Sequence, residues 1–156
     1  MTQDSRARPL DRIGTGTDGG ITLGSGVLTL EGELPVEYLS PGDRVITRSG
    51  ARVLRAVSSR RVTSGLYRVV PHTLGGDRPE AEIRLAAGTG LLIRDWRAQA
   101  LYGAPSAVVP VERLADGLAI APVEGEATVF TLEFDGDEVV YVEGLEVACA
   151  RARVEA

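Results

Sequence analysis

Hydrophobic and polar residues alternate in short runs along most of the chain. The run at 129–134 is the clearest, since Phe130, Leu132 and Phe134 alternate with smaller or more polar neighbours. A period of two residues puts successive side chains on opposite faces of a strand, so this run is predicted to be half-buried β-structure. Similar β-prone runs occupy residues 27–30, 44–47, 52–57, 66–70, 83–85, 91–94 and 138–142. The pattern predicts a mostly β fold.

Turn residues separate these runs. Ser-Gly at 49–50 and Asp-Gly at 135–136 each lie between two β-prone runs, which is the pattern of a two-residue hairpin turn. Both positions are therefore predicted to close β-hairpins.

One segment, 95–102, has the pattern of a short helix. Asp95 is placed to cap its first turn, and Gly103 is placed to end it. Trp96 is predicted to anchor this helix on the sheets, because a large aromatic side chain gains most from burial.

A short unit occurs twice. Residues 35–43 read P-V-E-Y-L-S-P-G-D and precede the run 44–47; residues 110–117 read P-V-E-R-L-A-D-G and precede 118–120. The offset is 75 residues. Chance and shared loop chemistry are one explanation. The other is a duplicated half-domain packed about a pseudo-two-fold axis.

Composition narrows the possible functions. The net charge is −5 and no basic block occurs, which argues against nucleic acid as a partner. A single Cys and a single His argue against a disulfide framework and a metal centre, and we expect no cofactor. No apolar run is long enough for a membrane span and no secretory signal is readable, so a cytoplasmic location is the default expectation.

The predicted domain organisation is simple. Residues 1–19 are expected to form a flexible lead-in, 20–150 the β domain and 151–156 a short tail.

Three blocks, in order, resemble the Hint (Hedgehog/intein) domain family, and in particular a bacterial Hint-type domain. The first covers residues 24–47, with V-E-x-L-x-P-G-D; the second covers 91–117; the third covers 129–149. The resemblance implies a pseudo-two-fold, horseshoe-like β fold with one short helix. It also implies self-processing, in which a first-position Cys or Ser attacks the preceding peptide carbonyl, a His assists the leaving nitrogen, and a late His and terminal Asn resolve the intermediate.

The residues at those positions depart from the family. Gly20 stands where the nucleophile is expected, Thr89 where the assisting His is expected, and Asp137 where the late His is expected. Ala148 and Cys149 stand where the final His-Asn pair is expected, and the sequence contains no Asn. We therefore expect no competent catalytic site.

Three hypotheses for function remain. The first is a Hint fold without autoproteolytic or splicing activity that serves as a scaffold or interaction module, with an unknown protein or its own flanking segments as partner. The second is an active autoprocessing domain whose nucleophile is Thr22, Ser25 or Cys149. The third is a general β binding module that shares only the fold. Cys149 alternates with Leu145 and Val147, which predicts a small buried hydrophobe.

Overall fold

A computed structural model describes residues 19–74 and 78–149. The predicted lead-in and tail lie almost entirely outside these ranges. Among the described residues, none of the helices is long and apolar enough to cross a membrane.

Two antiparallel sheets make up the domain, which confirms the mostly β prediction. The six-stranded sheet has the order β11-β7-β8-β1-β12-β6. Its strands are β1 (Ile21–Thr22), β6 (Ala56–Val62), β7 (Leu66–Val69), β8 (Ile83–Ala86), β11 (Ile120–Val123) and β12 (Ala127–Glu133). The eight-stranded sheet has the order β10-β9-β14-β13-β2-β4-β5, with β3 paired to β2. Its strands are β2 (Gly26–Thr29), β3 (Gly32–Pro35), β4 (Arg44–Thr47), β5 (Gly50–Val53), β9 (Gly90–Ile93), β10 (Ala107–Pro110), β13 (Glu138–Val142) and β14 (Leu145–Cys149).

The two sheets enclose one large core. The six-stranded sheet contributes Ile21, Leu85 and Leu132 to this core. The eight-stranded sheet contributes Val27, Leu91 and others. The five residues named here are at most 2% exposed. Period-two alternation thus gives the six-stranded sheet an inner face toward this core and an outer face away from it.

The part of the chain that the structure describes contains one α-helix, α1 (Trp96–Tyr102), as predicted. The Asp95 side chain accepts a hydrogen bond from the Arg97 backbone N–H, and Gly103 ends the helix in the left-handed conformation, with φ of +66°. The prediction for Trp96 is wrong, because its side chain is 69% exposed. Ala98 packs the helix on the core, while Trp96 stacks on the Arg97 guanidinium, 5.0 Å from the ring centre.

One of the two predicted hairpins forms and the other does not. Strands β4 and β5 pair as predicted, but the turn is at 48–49 instead of 49–50, because Gly50 is paired with Thr47. The predicted run 52–57 is divided between β5 and β6, which lie in different sheets. The Asp-Gly pair at 135–136 instead connects the two sheets, and β12 and β13 are not paired. The reason is that β12 already has β1 and β6 on its two sides, while β13 is bordered by β14, β2 and β4. Neither strand has a free edge for the other.

A hairpin that sequence reasoning missed joins β13 to β14. Its two-residue turn, Glu143-Gly144, has positive φ at both positions, +51° and +83°. That backbone matches the right-handed twist of paired strands, and the Gly at its second position was the available signal.

The repeated unit has the same conformation in both places. Each copy forms a short 3-10 helix after a proline, Val36–Tyr38 in the first and Val111–Leu114 in the second. Val36 and Val111 are fully buried. The Val36 N–H donates to the Ser25 carbonyl, and the Val111 N–H donates to the Thr89 carbonyl, each at 2.9 Å. Ser25 and Thr89 therefore occupy equivalent positions, which supports the duplication.

Candidate functional site

The chain enters the domain against the turn that carries Thr89. The Gly20 N–H donates a 2.8 Å hydrogen bond to the Thr89 hydroxyl oxygen, and the Thr89 hydroxyl donates to the Ala86 carbonyl at 2.6 Å. The Gly19 N–H donates to the Ala87 carbonyl at 2.9 Å. Two positions 69 residues apart, Gly20 and Thr89, are thus brought into direct contact, as the family resemblance predicts.

Gly20 lies where no side chain fits. A Cβ added to it would lie 2.7 Å from both Cβ and Cγ2 of Val129, which is closer than carbon atoms approach in proteins. Its φ is +150°, which L-residues rarely adopt. The neighbouring Gly19 is similarly confined, since its added Cβ would lie 3.0 Å from the Thr89 backbone. Both steric room and backbone conformation therefore select glycine at position 20.

The last strand returns to the same place. Leu91 pairs with Val147, so β9 and β14 are neighbours. The residues next to this pair are also close, since a Cβ added to Gly90 would lie 3.4 Å from the Ala148 Cβ. Ala148 thus lies beside the residue that follows Thr89, and the two ends of the domain meet at the start of β9.

Cys149 and Asp137 lie next to this meeting point. Cys149 is opposite Glu138 in the β13–β14 register, and Asp137 directly precedes Glu138. Asp137 leads into β13 from the segment that connects the sheets, rather than lying on the predicted hairpin. Asp137 and Cys149 are therefore connected to the Gly20–Thr89 contact through β14 and β9, the neighbouring strands that carry Ala148 and Gly90.

The Cys149 thiol is buried, as its alternation predicted. Burial raises the pKa of this thiol, with a further contribution from the negative charge of Glu138, to about 12. A thiol is nucleophilic as the thiolate, so Cys149 is held in its unreactive form at neutral pH.

The hydroxyls of Thr22 and Ser25 are also largely buried and lie 3.1 Å apart. The Thr22 hydroxyl donates to the Arg84 carbonyl at 2.8 Å. Each hydroxyl thus has a hydroxyl or carbonyl neighbour, and among the described residues no imidazole or carboxylate hydrogen-bonds to either one.

His72 lies away from this region. It is exposed in the turn after β7, with φ of +66°, and its backbone N–H donates to the Pro79 carbonyl. That turn is at the Ile83 end of β8, while Gly20 and Thr89 contact the Ala86 end. Within residues 19–74 and 78–149, no group of three acidic, His or Cys side chains is placed to hold a metal ion.

An ion cluster around one buried carboxylate of β14 was missed by sequence reasoning. The Glu146 carboxylate, 2% exposed, accepts hydrogen bonds from Arg48 and Arg78 at 2.8 Å and from Arg94 at 3.0 Å. Burial by itself raises the pKa of Glu146, but the hydrogen bonds and charges of the arginines lower it by more, so the pKa is below its ordinary value. No sequence signal linked these residues, because the arginines come from three separate loops.

The family follows from comparison with known proteins. Residues 20–150 match the family model of the Hint domain. The chain belongs to the Hint domain family. Among curated protein sequences, none matches the chain at a significant level.

Solved inteins share the fold of this Hint domain. It is similar to a bacterial intein-like domain from Clostridium thermocellum, with 15% identity, a TM-score of 0.60, and coverage of 83% of this chain and 97% of that one. It is also similar to a DnaB intein from Synechocystis sp. PCC 6803, with 13% identity, a TM-score of 0.60, and coverage of 85% and 99%. At these identities the likeness establishes the fold and leaves activity to be argued from the site.

Proposed function

We propose that this Hint domain has lost autoproteolytic and splicing activity and acts as a scaffold or interaction module. The observation that carries the proposal is the lack of space for a side chain at Gly20. A nucleophilic side chain there would overlap Val129, with its Cβ 2.7 Å from the valine Cβ. Covalent acyl transfer needs a nucleophilic atom next to the bond that is cleaved, and the family's position for that atom has no room for one.

The hydrogen bonds of Thr89 support the same proposal. In the family, an assisting His protonates the nitrogen that leaves, which here would be the Gly20 backbone nitrogen. The Thr89 hydroxyl has one proton, and the Ala86 carbonyl at 2.6 Å is a closer acceptor for it than the Gly20 carbonyl at 3.3 Å. Toward the Gly20 nitrogen the hydroxyl acts as an acceptor. A neutral hydroxyl used in this way stabilises the entering chain and supplies no general acid.

The alternative is an active domain with an unusual nucleophile. Cys149 is disfavoured by the high pKa of its buried thiol. Thr22 and Ser25 are disfavoured because a hydroxyl nucleophile needs a base within hydrogen-bond reach. Their nearest polar neighbours are each other and the Arg84 carbonyl.

Intact-mass spectrometry of the purified chain tests the proposal. We expect the full 16.5 kDa mass to persist for days in reducing buffer, with and without hydroxylamine, which would trap a thioester or ester. A defined cleavage at the Gly19–Gly20 bond, or a hydroxylamine-dependent fragment, would overturn it. In that event the variants Thr22→Val, Ser25→Ala and Cys149→Ala, compared under the same conditions, identify the nucleophile.

A further inference from the structure

Three arginines lie in one row on the outer face of the six-stranded sheet. Arg68 of β7 is directly opposite Arg84 of β8. The row continues through Thr22, whose hydroxyl contacts the Arg84 carbonyl, and through Val129 to Arg60 of β6. Cross-strand partners share a face of a sheet, so the three guanidinium groups project from the face opposite the main core.

Arg68 contacts a backbone carbonyl and not a carboxylate, since its Nη2 donates a 3.2 Å hydrogen bond to the Leu118 carbonyl. Among residues 19–74 and 78–149, no ion pair joins Arg60, Arg68 or Arg84 to a carboxylate. The Arg68 Nε is the one buried side-chain nitrogen or oxygen in these ranges without a hydrogen-bond partner. Like charges directly opposite each other in a sheet are destabilising, so Arg68 and Arg84 oppose the stability of the isolated domain.

The chain connections of the six-stranded sheet imply a concave outer face. Strands β6 and β7 are joined by residues 63–65 alone, although three other strands lie between them in the sheet. Val62 of β6 and Val123 of β11 also pack on one small cluster on this face, although they come from the two edge strands. The sheet must curl toward its outer face to allow both. The base of the resulting groove is closed, since Leu66, Ala86 and Val129 are at most 3% exposed, and its accessible apolar surface is that of the half-buried Val62, Val123 and Ala127 packed on them.

We propose that this groove binds an acidic segment of a partner polypeptide. Its carboxylates would pair with Arg60, Arg68 and Arg84, and its apolar side chains would cover Val62 and neighbouring residues. The guanidinium fork matches a carboxylate in shape as well as charge. The whole chain has a net charge of −5 and therefore repels acidic peptides in general. The positive arginine row is a local exception, so an acidic segment is attracted to this face in particular.

A peptide fits this face better than nucleic acid does. Binding of single strands uses aromatic side chains on which bases stack. The aromatic residues of this sheet, Tyr67 and Phe130, pack against the main core instead. The inference rests on the proposed function, because it names the chemistry of the partner that the interaction module would take.

Fluorescence anisotropy with a labelled Glu-Leu-Glu-Leu-Glu peptide tests the site on the full chain. We expect saturable binding at low salt that weakens as salt screens the exposed charges. The double variant Arg60→Gln/Arg84→Gln should raise Kd by about tenfold or more, the loss expected for charge-assisted hydrogen bonds. Arg44→Gln is the matched control, since Arg44 is an exposed strand arginine of the other sheet with no ion pair among the described residues. It should change Kd by less than about twofold.

A charge exchange keeps the test independent of folding. The variant Arg84→Glu should lose affinity for the acidic peptide and gain affinity for a Lys-Leu-Lys-Leu-Lys peptide, an outcome that an unfolded protein cannot produce. The proposal is wrong if the acidic peptide does not bind, if Arg44→Gln weakens binding equally, or if inorganic phosphate or oligothymidylate displaces the peptide at a lower concentration than the unlabelled peptide does. If the unmodified protein keeps its full mass but does not bind the acidic peptide, this binding site alone is overturned. A cleavage product would overturn the proposed function alone.

Discussion

Glu37 and Glu112 play the same part in the two halves of the domain. A carboxylate oxygen of Glu37 accepts a hydrogen bond from the Gly24 N–H at 2.7 Å, and one of Glu112 accepts from the Gly88 N–H at 2.8 Å. Each glutamate follows a buried valine at the start of a 3-10 helix, and each glycine precedes a buried hydroxyl residue. The duplicated sequence unit is therefore a duplicated contact.

This equivalence predicts equal costs for breaking the two contacts. We expect Glu37→Ala and Glu112→Ala each to lower the free energy of unfolding by about 1 kcal/mol or less, since both hydrogen bonds are exposed to solvent. Urea denaturation measures both. Glu31→Ala is the control, because the exposed Glu31 side chain accepts no hydrogen bond among the described residues, and it should have no more than about half that effect. A large difference between the two main variants would contradict the equivalence.

The steric argument at Gly20 predicts the effect of one added methyl group. Gly20→Ala should destabilise the domain by about 2–4 kcal/mol, because it combines backbone strain with overpacking against Val129. Gly24→Ala is the matched control. Gly24 also has a positive φ, of +92°, but an added Cβ there would meet nothing within 4 Å. Gly24→Ala should therefore lower the free energy of unfolding through backbone strain alone, by about 1 kcal/mol.

Thermal or urea unfolding of the two glycine variants decides the matter. Equal losses would show that Val129 yields without cost, and the proposed reason for lost activity would then fail. Adding Val129→Ala to Gly20→Ala should recover part of the steric loss if the valine is the obstacle.

The burial of Cys149 predicts low reactivity. With a pKa of about 12, the thiol is ionised at pH 8 in roughly one molecule in ten thousand, compared with about one in ten for an ordinary thiol. We expect a disulfide reagent to label the native protein at least about a hundredfold more slowly than the same protein in guanidinium chloride. Absorbance of the released thiolate measures both rates. Labelling of native protein within minutes would revive Cys149 as a candidate nucleophile.

The Glu146 cluster predicts a dependence of stability on pH. Because the pKa of Glu146 is lower in the folded protein than its ordinary value of 4.5, the unfolded chain takes up this proton first as the pH falls. The cluster therefore stabilises the fold above about pH 4.5, and this stabilisation is lost as the pH falls through the folded pKa.

Glu146→Gln tests this dependence. At pH 7 it should lower the free energy of unfolding by roughly 2 kcal/mol, less than a fully buried ion pair would lose, because the arginines keep solvent contact. The difference from the unmodified protein should narrow as the pH falls below about 4.5. Glu126→Gln, which removes an exposed ion pair with Arg61, should change stability by less than about 1 kcal/mol at either pH. A difference that is constant with pH would contradict the assignment.

The sequence by itself determined the local structure. The mostly β pattern, the β4–β5 hairpin to within one residue of its turn, and the helix with Asp95 before it and Gly103 after it were predicted correctly. Each depends on residues within a few positions of one another, where side-chain periodicity and backbone preference act directly. The repeated unit was also readable, because both copies carry the same proline, valine and glutamate.

Only the tertiary structure decided which elements meet. The Asp-Gly pair at 135–136 has hairpin chemistry, yet its two strands belong to different sheets, because both edges of each strand were taken by others. The contact between Gly20 and Thr89, the overlap with Val129 and the arginine row depend on pairings between distant segments. Such pairings are set by the competition of all strands for edges and core volume, and no local pattern carries that information.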